Sequence, residues 1–429
     1  MNSVKRVLWI SDYFPRPNNM TLGVWALESI YAIRKKGIDV VVLSPTSWIP
    51  RLFTFNSGLK DIGQIPFNSA INSINTFYAK CPHYPHRLII KYLYNLFPFF
   101  ETSFLFGWLK PAIELIMENY PFQAVHANFI FPGGYIAYEI KKKYKIPIIV
   151  HERSVNRLSN ALSHNLRRRS YMRIINEADA LIAPNRSMAG IIEKLLLNKK
   201  DVNVIRDPGN SASISLLSLP QSKPEKYKDF KVILSAGSLL ERKGHEFLIK
   251  AINMLKEEFN NIKCIIVGSG VRKKFLEKLI EDLGLEHYIE LRGQLPHEEV
   301  LKLMSWCDIF ALPSWDEACG TVYGEAMSFG KPVIACKGEG ISEIVHDGIN
   351  CLLVNRKDEM SIAEAIKKLL LNKGLSAAIG REAKTLVEKE FNYDFAASRI
   401  IELYNKITSR ISASEIDRHL SQNTQMYFA

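Results

Sequence analysis

The apolar positions of this chain fall into short continuous runs separated by amphipathic stretches, the pattern of buried parallel strands alternating with surface helices. Val7, Leu8, Trp9 and Ile10 form the first run, and the stretch from Asp39 to Leu43 forms the second. Between them Leu27, Ile30 and Ile33 recur at helical spacing until Lys36 and Gly37 close the segment. Strand, loop, helix and strand in that order predict a parallel, doubly wound α/β sheet. Further strands are predicted to open at Ala124, Pro147, Ala180, Val232, Lys263, Ile289, Asp308, Val333 and Leu352. Helices are predicted over 298–304, near 360–371, near 376–390 and in a last stretch ending near Ile407.

The densest signal lies in 309–335. The apolar run from Ile309 to Leu312 is stopped by Pro313 and Ser314, and Gly320 and Thr321 open a helix that continues through Gly324 and Met327. Gly330 and Pro332 end it, because glycine tolerates a left-handed cap and proline cannot continue the turn. Free N–H groups at such a helix start, with the dipole behind them, make a seat for phosphate. Two carboxylates, Glu317 and Glu325, stand eight residues apart around that seat. A carboxylate just past such a turn can accept the hydroxyls of a ribose. Two solvated surface acids are the plain alternative, and the company of Gly320, Gly324, Gly330 and Pro332 favours the nucleotide reading.

Length and composition suit a globular protein of two domains, with 429 residues, 47% hydrophobic and 23% charged. The net charge of +12 is unevenly shared: residues 1–210 hold 27 Lys and Arg against 14 Asp and Glu, whereas 211–429 hold 29 against 30. The first half therefore predicts an acidic partner, such as an anionic lipid surface, a phosphorylated acceptor or nucleic acid; a generally basic proteome is the plain alternative. Residues 80–110 set Tyr92, Tyr94, Phe97, Phe99, Phe100, Phe104, Phe106 and Trp108 beside Lys80 and Arg87, which fits a membrane-interface surface as well as it fits core helices. Arg167, Arg168, Arg169 and Arg173 lie on a helical stretch and read as a solvated face or as a contact for an anionic acceptor. Six cysteines without a paired or metal-ligand spacing predict reduced, buried thiols. The N-terminal apolar run is too short for a signal peptide and no stretch reads as a membrane span. A cytoplasmic protein is expected, with peripheral contact to the inner face of the membrane.

Glu317 and Glu325, followed by Ala326, Met327, Ser328, Gly330, Pro332 and Val333, resemble the signature of glycosyltransferase family 4, a large retaining group with two facing Rossmann-like domains. Similar motifs run through most of the chain. Gly23 matches a glycine of the first loop, where bare backbone approaches the donor; as a lone glycine it would be an ordinary turn residue. His126, Ala127, Pro132 and Gly134 resemble a family strand end and loop. Lys243 matches the lysine that grips the donor diphosphate, Ser238 stands where relatives carry the partner arginine, and Arg242 is the substitute for that charge. Arg153 occupies a position commonly held by histidine, with His151 two residues earlier. By the resemblance, either His151 reaches the anomeric centre or Arg153 supplies charge there, and a structural role is the alternative for both. Gln294 and Leu295 match a loop that meets the nucleobase, and Asp207 to Asn210 match an inter-domain hinge.

The resemblance implies an α/β protein of the GT-B type, two facing Rossmann-like doubly wound domains with the active site in the inter-domain cleft. The domains would be an acceptor-side domain over 1–210, a linker over 211–228, a nucleotide-sugar domain over 229–390, a helix over 391–412 crossing back to the first domain, and a tail over 413–429. The reaction would move a sugar from a nucleotide-diphosphate sugar to an acceptor hydroxyl with configuration retained, through an oxocarbenium-like transition state. Glu317 would hold the sugar hydroxyls, the backbone of Gly320, Thr321 and Val322 the phosphate, and Glu325 the ribose, while Arg242 and Lys243 neutralise the departing diphosphate. No Asp-x-Asp triplet occurs, so no metal and no cofactor beyond the donor is expected. A lipid-linked or cell-surface glycan, as in polysaccharide or lipopolysaccharide assembly, is the expected acceptor, and nucleic acid is not expected. Three rivals stand beside this reading. A nicotinamide oxidoreductase would need a complete glycine fingerprint on the first strand, which is missing, and Gly268 and Gly270 have Lys273 in the third position. A nucleotide-sugar epimerase would share the two-domain fold, and a non-catalytic binder of nucleotide or of an anionic surface would keep binding without turnover.

Overall fold

The computed structural model describes residues 4–20, 22–48, 61–81, 98–163, 165–206, 222–316 and 320–409. Glu317, Cys319, the hinge motif from Asp207 to Asn210, residues 211–221, the aromatic stretch 82–97 and the tail 413–429 lie outside the described residues. The chain divides into two compact units: residues up to Ile205 with those from Ala397 onward, and Arg206–Ala396.

The first unit opens with β1 (Arg6–Ile10), α1 (Val24–Lys35), β2 (Asp39–Leu43), β3 (Thr46–Ser47), β4 (Asn68–Ile71), β5 (Ile74–Phe77) and β6 (Lys80–Cys81). It continues with α2 (Pro98–Asn119), β7 (Ala124–Asn128), α3 (Tyr135–Tyr144), β8 (Ile148–His151), α4 (Val155–Leu162), α5 (Asn165–Glu177), β9 (Ala180–Ala183), α6 (Arg186–Glu193) and β10 (Val202–Val204). Among the described residues the main sheet has eight strands in the order β10-β9-β8-β7-β1-β2-β5-β4. Past Arg6, central β1 is apolar because both of its faces are covered, and Val7, Leu8, Trp9 and Ile10 are fully buried. Trp9 pairs in register with Val42 on one side and His126 on the other. The chain builds outward from β1 to β2 and then resumes at β7 on the opposite side, which puts a topological switch point between β1 and β7.

One element departs from the uniform parallel pattern. Strands β4 and β5 pair antiparallel, turning at Asn72 and Ser73, whose φ values are 47° and 65°. Two successive positive φ angles are what a two-residue hairpin turn requires. The uncharged run over 62–79 thus contains a hairpin at the sheet edge, formed by β4 and β5.

The second unit holds β11 (Lys231–Ala236), α7 (His245–Leu255), β12 (Ile262–Val267), α8 (Lys273–Asp282), β13 (Ile289–Leu291), α9 (His297–Trp306), β14 (Ile309–Ala311), α10 (Thr321–Ser328), β15 (Val333–Cys336), β16 (Leu352–Val354), α11 (Glu359–Leu371) and α12 (Lys373–Glu390). Its six strands are all parallel, in the order β13-β12-β11-β14-β15-β16. Alternation along β11 feeds two cores. Val232 and Leu234 pack with Phe310, Tyr323 and Met327 on one face, while Ile233 packs with Ile266, Ile252 and Ile366 on the other. Burying each such aliphatic side chain contributes about 1.5–3 kcal/mol, and the helices on both faces explain why the strands read as unbroken apolar runs. Helix α13 (Tyr393–Thr408) ends the described chain, and its residues from Ala397 belong to the first unit. There Tyr404 is fully buried, with its hydroxyl 2.9 Å from Nδ1 of His126.

Candidate functional site

In the second unit the switch point lies between β11 and β14, and the loops leaving their carboxyl ends border it. The β11 loop runs through exposed Ser238, buried Leu239 and a tight turn over Glu241–Lys243 to Gly244. Three backbone crossings lock it in place. The N–H of Leu239 donates to the carbonyl of Ser269 at 2.9 Å. A Cβ at Gly268, where φ is 152°, would sit 1.9 Å from the Gly237 carbonyl oxygen. A Cβ at Gly244, where φ is 72°, would sit 2.1 Å from the Pro313 carbonyl oxygen. Only glycine allows both approaches. The β14 loop closes the arrangement, with the N–H of Trp315 donating to the Arg242 carbonyl at 2.8 Å.

Lys243 is drawn into this crossing. It is buried, and its side chain passes so close to Gly237 that a Cβ added there would lie 3.7 Å from Cδ of the lysine. His245, one residue past the Gly244 crossing, is buried with Nδ1 3.3 Å from Oγ of Ser235. Burial, helped by the Lys243 charge, pushes its pKa down to about 4. Helix α10 begins at Gly320, which caps it with φ 71° and ψ 84°. Val322 in its first turn packs against the core, and the Tyr323 hydroxyl donates to the Leu312 carbonyl at 2.7 Å, tying the helix to the strand end. Glu325 lies on the second turn of this helix, and its Oε1 accepts from Nε2 of His297 at 3.0 Å. On the neighbouring loops Gln294 is exposed and accepts from the Ser269 hydroxyl at 3.0 Å, while Leu295 packs against the core.

The first unit has a matching edge at its own switch point. Gly23 caps α1 with φ 65°, and a Cβ there would meet the Tyr13 carbonyl oxygen at 2.3 Å. After β7 the chain turns through Phe129, at φ 61°, and a cis bond before Pro132. Glu152 organises this turn from inside. It is buried and accepts from the main-chain N–H groups of Ile130 at 3.1 Å, Arg153 at 3.0 Å and Ser154 at 3.0 Å, and from the Tyr171 hydroxyl at 3.1 Å. Burial nonetheless pushes its pKa above the usual carboxylate range. Arg153 donates from Nε to Oδ1 of Asn128 at 2.9 Å and lies 4.4 Å over the Trp25 ring. Arg157 pairs with Asp12 at 3.0 Å and stacks 4.1 Å over Phe129. His151 is 1% exposed, and neither ring nitrogen has a hydrogen-bond partner among the described residues. Burial, followed by the charge of Arg153, holds its pKa well below the usual histidine value.

Residues 22–208 match the family described as Glycosyltransferase Family 4, and residues 220–386 match Glycosyl transferases group 1. The chain is a glycosyltransferase built of a family 4 domain followed by a group 1 domain. This glycosyltransferase is 26% identical over 418 residues to an uncharacterized glycosyltransferase of Methanocaldococcus jannaschii, an alignment covering 96% of this chain and 100% of that one. Its structure is similar to sucrose-phosphate synthase from Thermosynechococcus elongatus, with a TM-score of 0.71 at 17% identity over 95% of this chain and 100% of the other. It is also similar to HepE of Anabaena in complex with UDP, with a TM-score of 0.69 at 18% identity over 94% and 100% of the two chains. At such identities the likeness is one of fold, the GT-B fold of two Rossmann-like domains.

Within this glycosyltransferase, Arg242, Lys243, Gly320, Thr321 and Val322 belong to the two loops and the helix start that border the second switch point, with Ser238 exposed on the same β11 loop. Gln294 reaches the adjoining β12 loop through Ser269. Gly23, His151 and Arg153 belong to the first unit's edge. Asp12, Arg157, Glu152 and His297 escaped sequence reasoning. Asp12 and Arg157 pair 145 positions apart, His297 meets Glu325 on another helix, and Glu152 takes donors from Ile130 and Tyr171 as well as from its neighbours, so no local spacing marks them. No helix among the described residues is long and apolar enough to cross a membrane, and no group of three His, Cys, Asp or Glu among them could hold a metal ion.

Proposed function

We propose that this enzyme transfers a sugar from a nucleotide-diphosphate sugar to an acceptor hydroxyl with retention of configuration, and that the donor sits at the carboxyl edge of the second unit's sheet. The observation that carries this reading is the hydrogen bond from Trp315 to Arg242, which fastens the cation-bearing β11 loop to the loop that leads into α10. UDP is the ligand of the similar Anabaena HepE structure, which supports a nucleotide donor here.

Breaking the anomeric bond leaves a nucleoside diphosphate with growing negative charge. Lys243 and Arg242 stabilise that charge, and the main-chain N–H groups at Gly320, Thr321 and Val322 hold phosphate at the helix start. Glu325 takes the ribose and Glu317 the hydroxyls of the transferred sugar. With two cations in that role the reaction runs without a divalent metal. The acceptor is a lipid-linked or cell-surface glycan met at the cytoplasmic face of the membrane. Support comes from the surplus of Lys and Arg over 1–210 and from an exposed aromatic pair, Trp48 and Trp108, with ring centroids 6.1 Å apart.

Thermal-shift measurement with UDP, GDP and ADP sugars, followed by NMR of the product anomer, tests the assignment. A stabilising nucleotide sugar, retained anomeric configuration and activity unchanged in EDTA support it. Interconversion of the free donor without acceptor would make the enzyme an epimerase, and binding without turnover of any donor would make it a non-catalytic binder. Sedimentation with anionic vesicles, lost on exchange of Lys80, Arg87 and Arg167 to Arg169 for Glu, tests the membrane part.

A further inference from the structure

Glu325 has one carboxylate oxygen already engaged. Its side chain is 12% exposed, and Oε1 accepts from Nε2 of His297 at 3.0 Å. Among the described residues no other hydrogen-bonding partner of Glu325 is found, so Oε2 is left for a ligand. The two residues come from different elements. His297 is the first residue of α9, in the loop that follows β13, and Glu325 lies on α10 after β14. The bond therefore joins the helix that follows β13 to the helix that carries the proposed ribose carboxylate. A glutamate has three side-chain torsions to order, and immobilising such a rotamer-rich side chain on binding carries an entropic cost. A carboxylate held before the ligand arrives avoids much of that cost.

We propose that His297 is a positioning residue for nucleoside recognition: its imidazole N–H fixes Oε1 of Glu325 so that Oε2 is presented to a ribose hydroxyl. The inference rests on the donor-site reading above and extends it to a residue outside the family signature. The histidine itself does not touch the sugar. Its effect on ribose binding passes through the glutamate, and that dependence separates it from a residue that merely supports the fold.

The test is calorimetric binding of UDP, GDP and ADP, and of the 2′-deoxy form of whichever binds most tightly, to the full chain. The proteins compared are wild type, His297→Ala, His297→Gln, Glu325→Gln and the double variant His297→Ala with Glu325→Gln. Loss of a hydrogen bond to a charged group predicts affinity about tenfold weaker in His297→Ala. His297→Gln, which keeps an N–H donor, should recover part of it. The preference for ribose over deoxyribose should shrink in His297→Ala, and the double variant should bind no worse than Glu325→Gln. Binding that responds to Glu325→Gln and ignores His297→Ala overturns this inference alone, as does a double variant in which the two losses add. Binding indifferent to Glu325→Gln overturns the ribose assignment of Glu325 and this inference with it.

Discussion

The main-chain N–H of Trp315 donates to the carbonyl oxygen of Arg242 at 2.8 Å, so two loops more than seventy residues apart in sequence are joined backbone to backbone. That contact is possible because Gly244 lets Pro313 pass at a distance no side chain would tolerate. Gly244→Ala places a Cβ 2.1 Å from the Pro313 carbonyl oxygen in a backbone at φ 72°. The strained φ alone costs about 1 kcal/mol, and displacing the backbone adds to it. Urea unfolding should show a loss above that figure, with turnover falling further than stability because Lys243 and His245 flank the glycine.

Lys243→Met keeps the apolar stem that lies along Gly237 and removes the charge. The expected outcome is a fall in kcat of about 10²–10³-fold, the usual effect of deleting one preorganised group that meets transition-state charge. The melting temperature should stay close to that of wild type. Arg242→Gln should also lower kcat while leaving the loop in place, since Trp315 is held by the main chain of Arg242.

His245 makes stability depend on pH. Its unfolded imidazole takes a proton near 6.5, whereas the buried folded one resists until about 4. The unfolded state therefore binds more protons as pH falls through this window, and unfolding becomes easier. The contribution is complete above 6.5, is lost toward 4, and amounts to roughly 3 kcal/mol. His126 and His151 are shifted in the same direction, so the decline is shared. Denaturant titrations between these pH values should show it, and His245→Gln should make it shallower.

Tyr404→Phe removes the hydroxyl that meets Nδ1 of buried His126 and leaves that nitrogen without this partner inside the first unit. A loss of about 1–3 kcal/mol is expected. Hydrogen exchange should locate the weakening in α13, which that hydroxyl fastens to β7.

The chain's own order of residues determined the α/β class, most element boundaries and the family. Hydrophobic period is a local property, and a strand buried on both faces must read as an apolar run wherever it lies. The turns that carry Lys243 and Gly320 were legible for a similar reason, since each turn is built from neighbours in sequence. Other features waited for the tertiary structure. The hairpin at Asn72 and Ser73 lacks the Asn-Gly pair that advertises such a turn, and its positive φ angles appear only in the folded backbone. Glu152 gathers donors from two loops, Arg157 finds Asp12 145 positions away, and His297 reaches Glu325 across two elements. None of these pairings is encoded in a spacing. Each is set by how closely the elements at the strand ends approach one another in the fold.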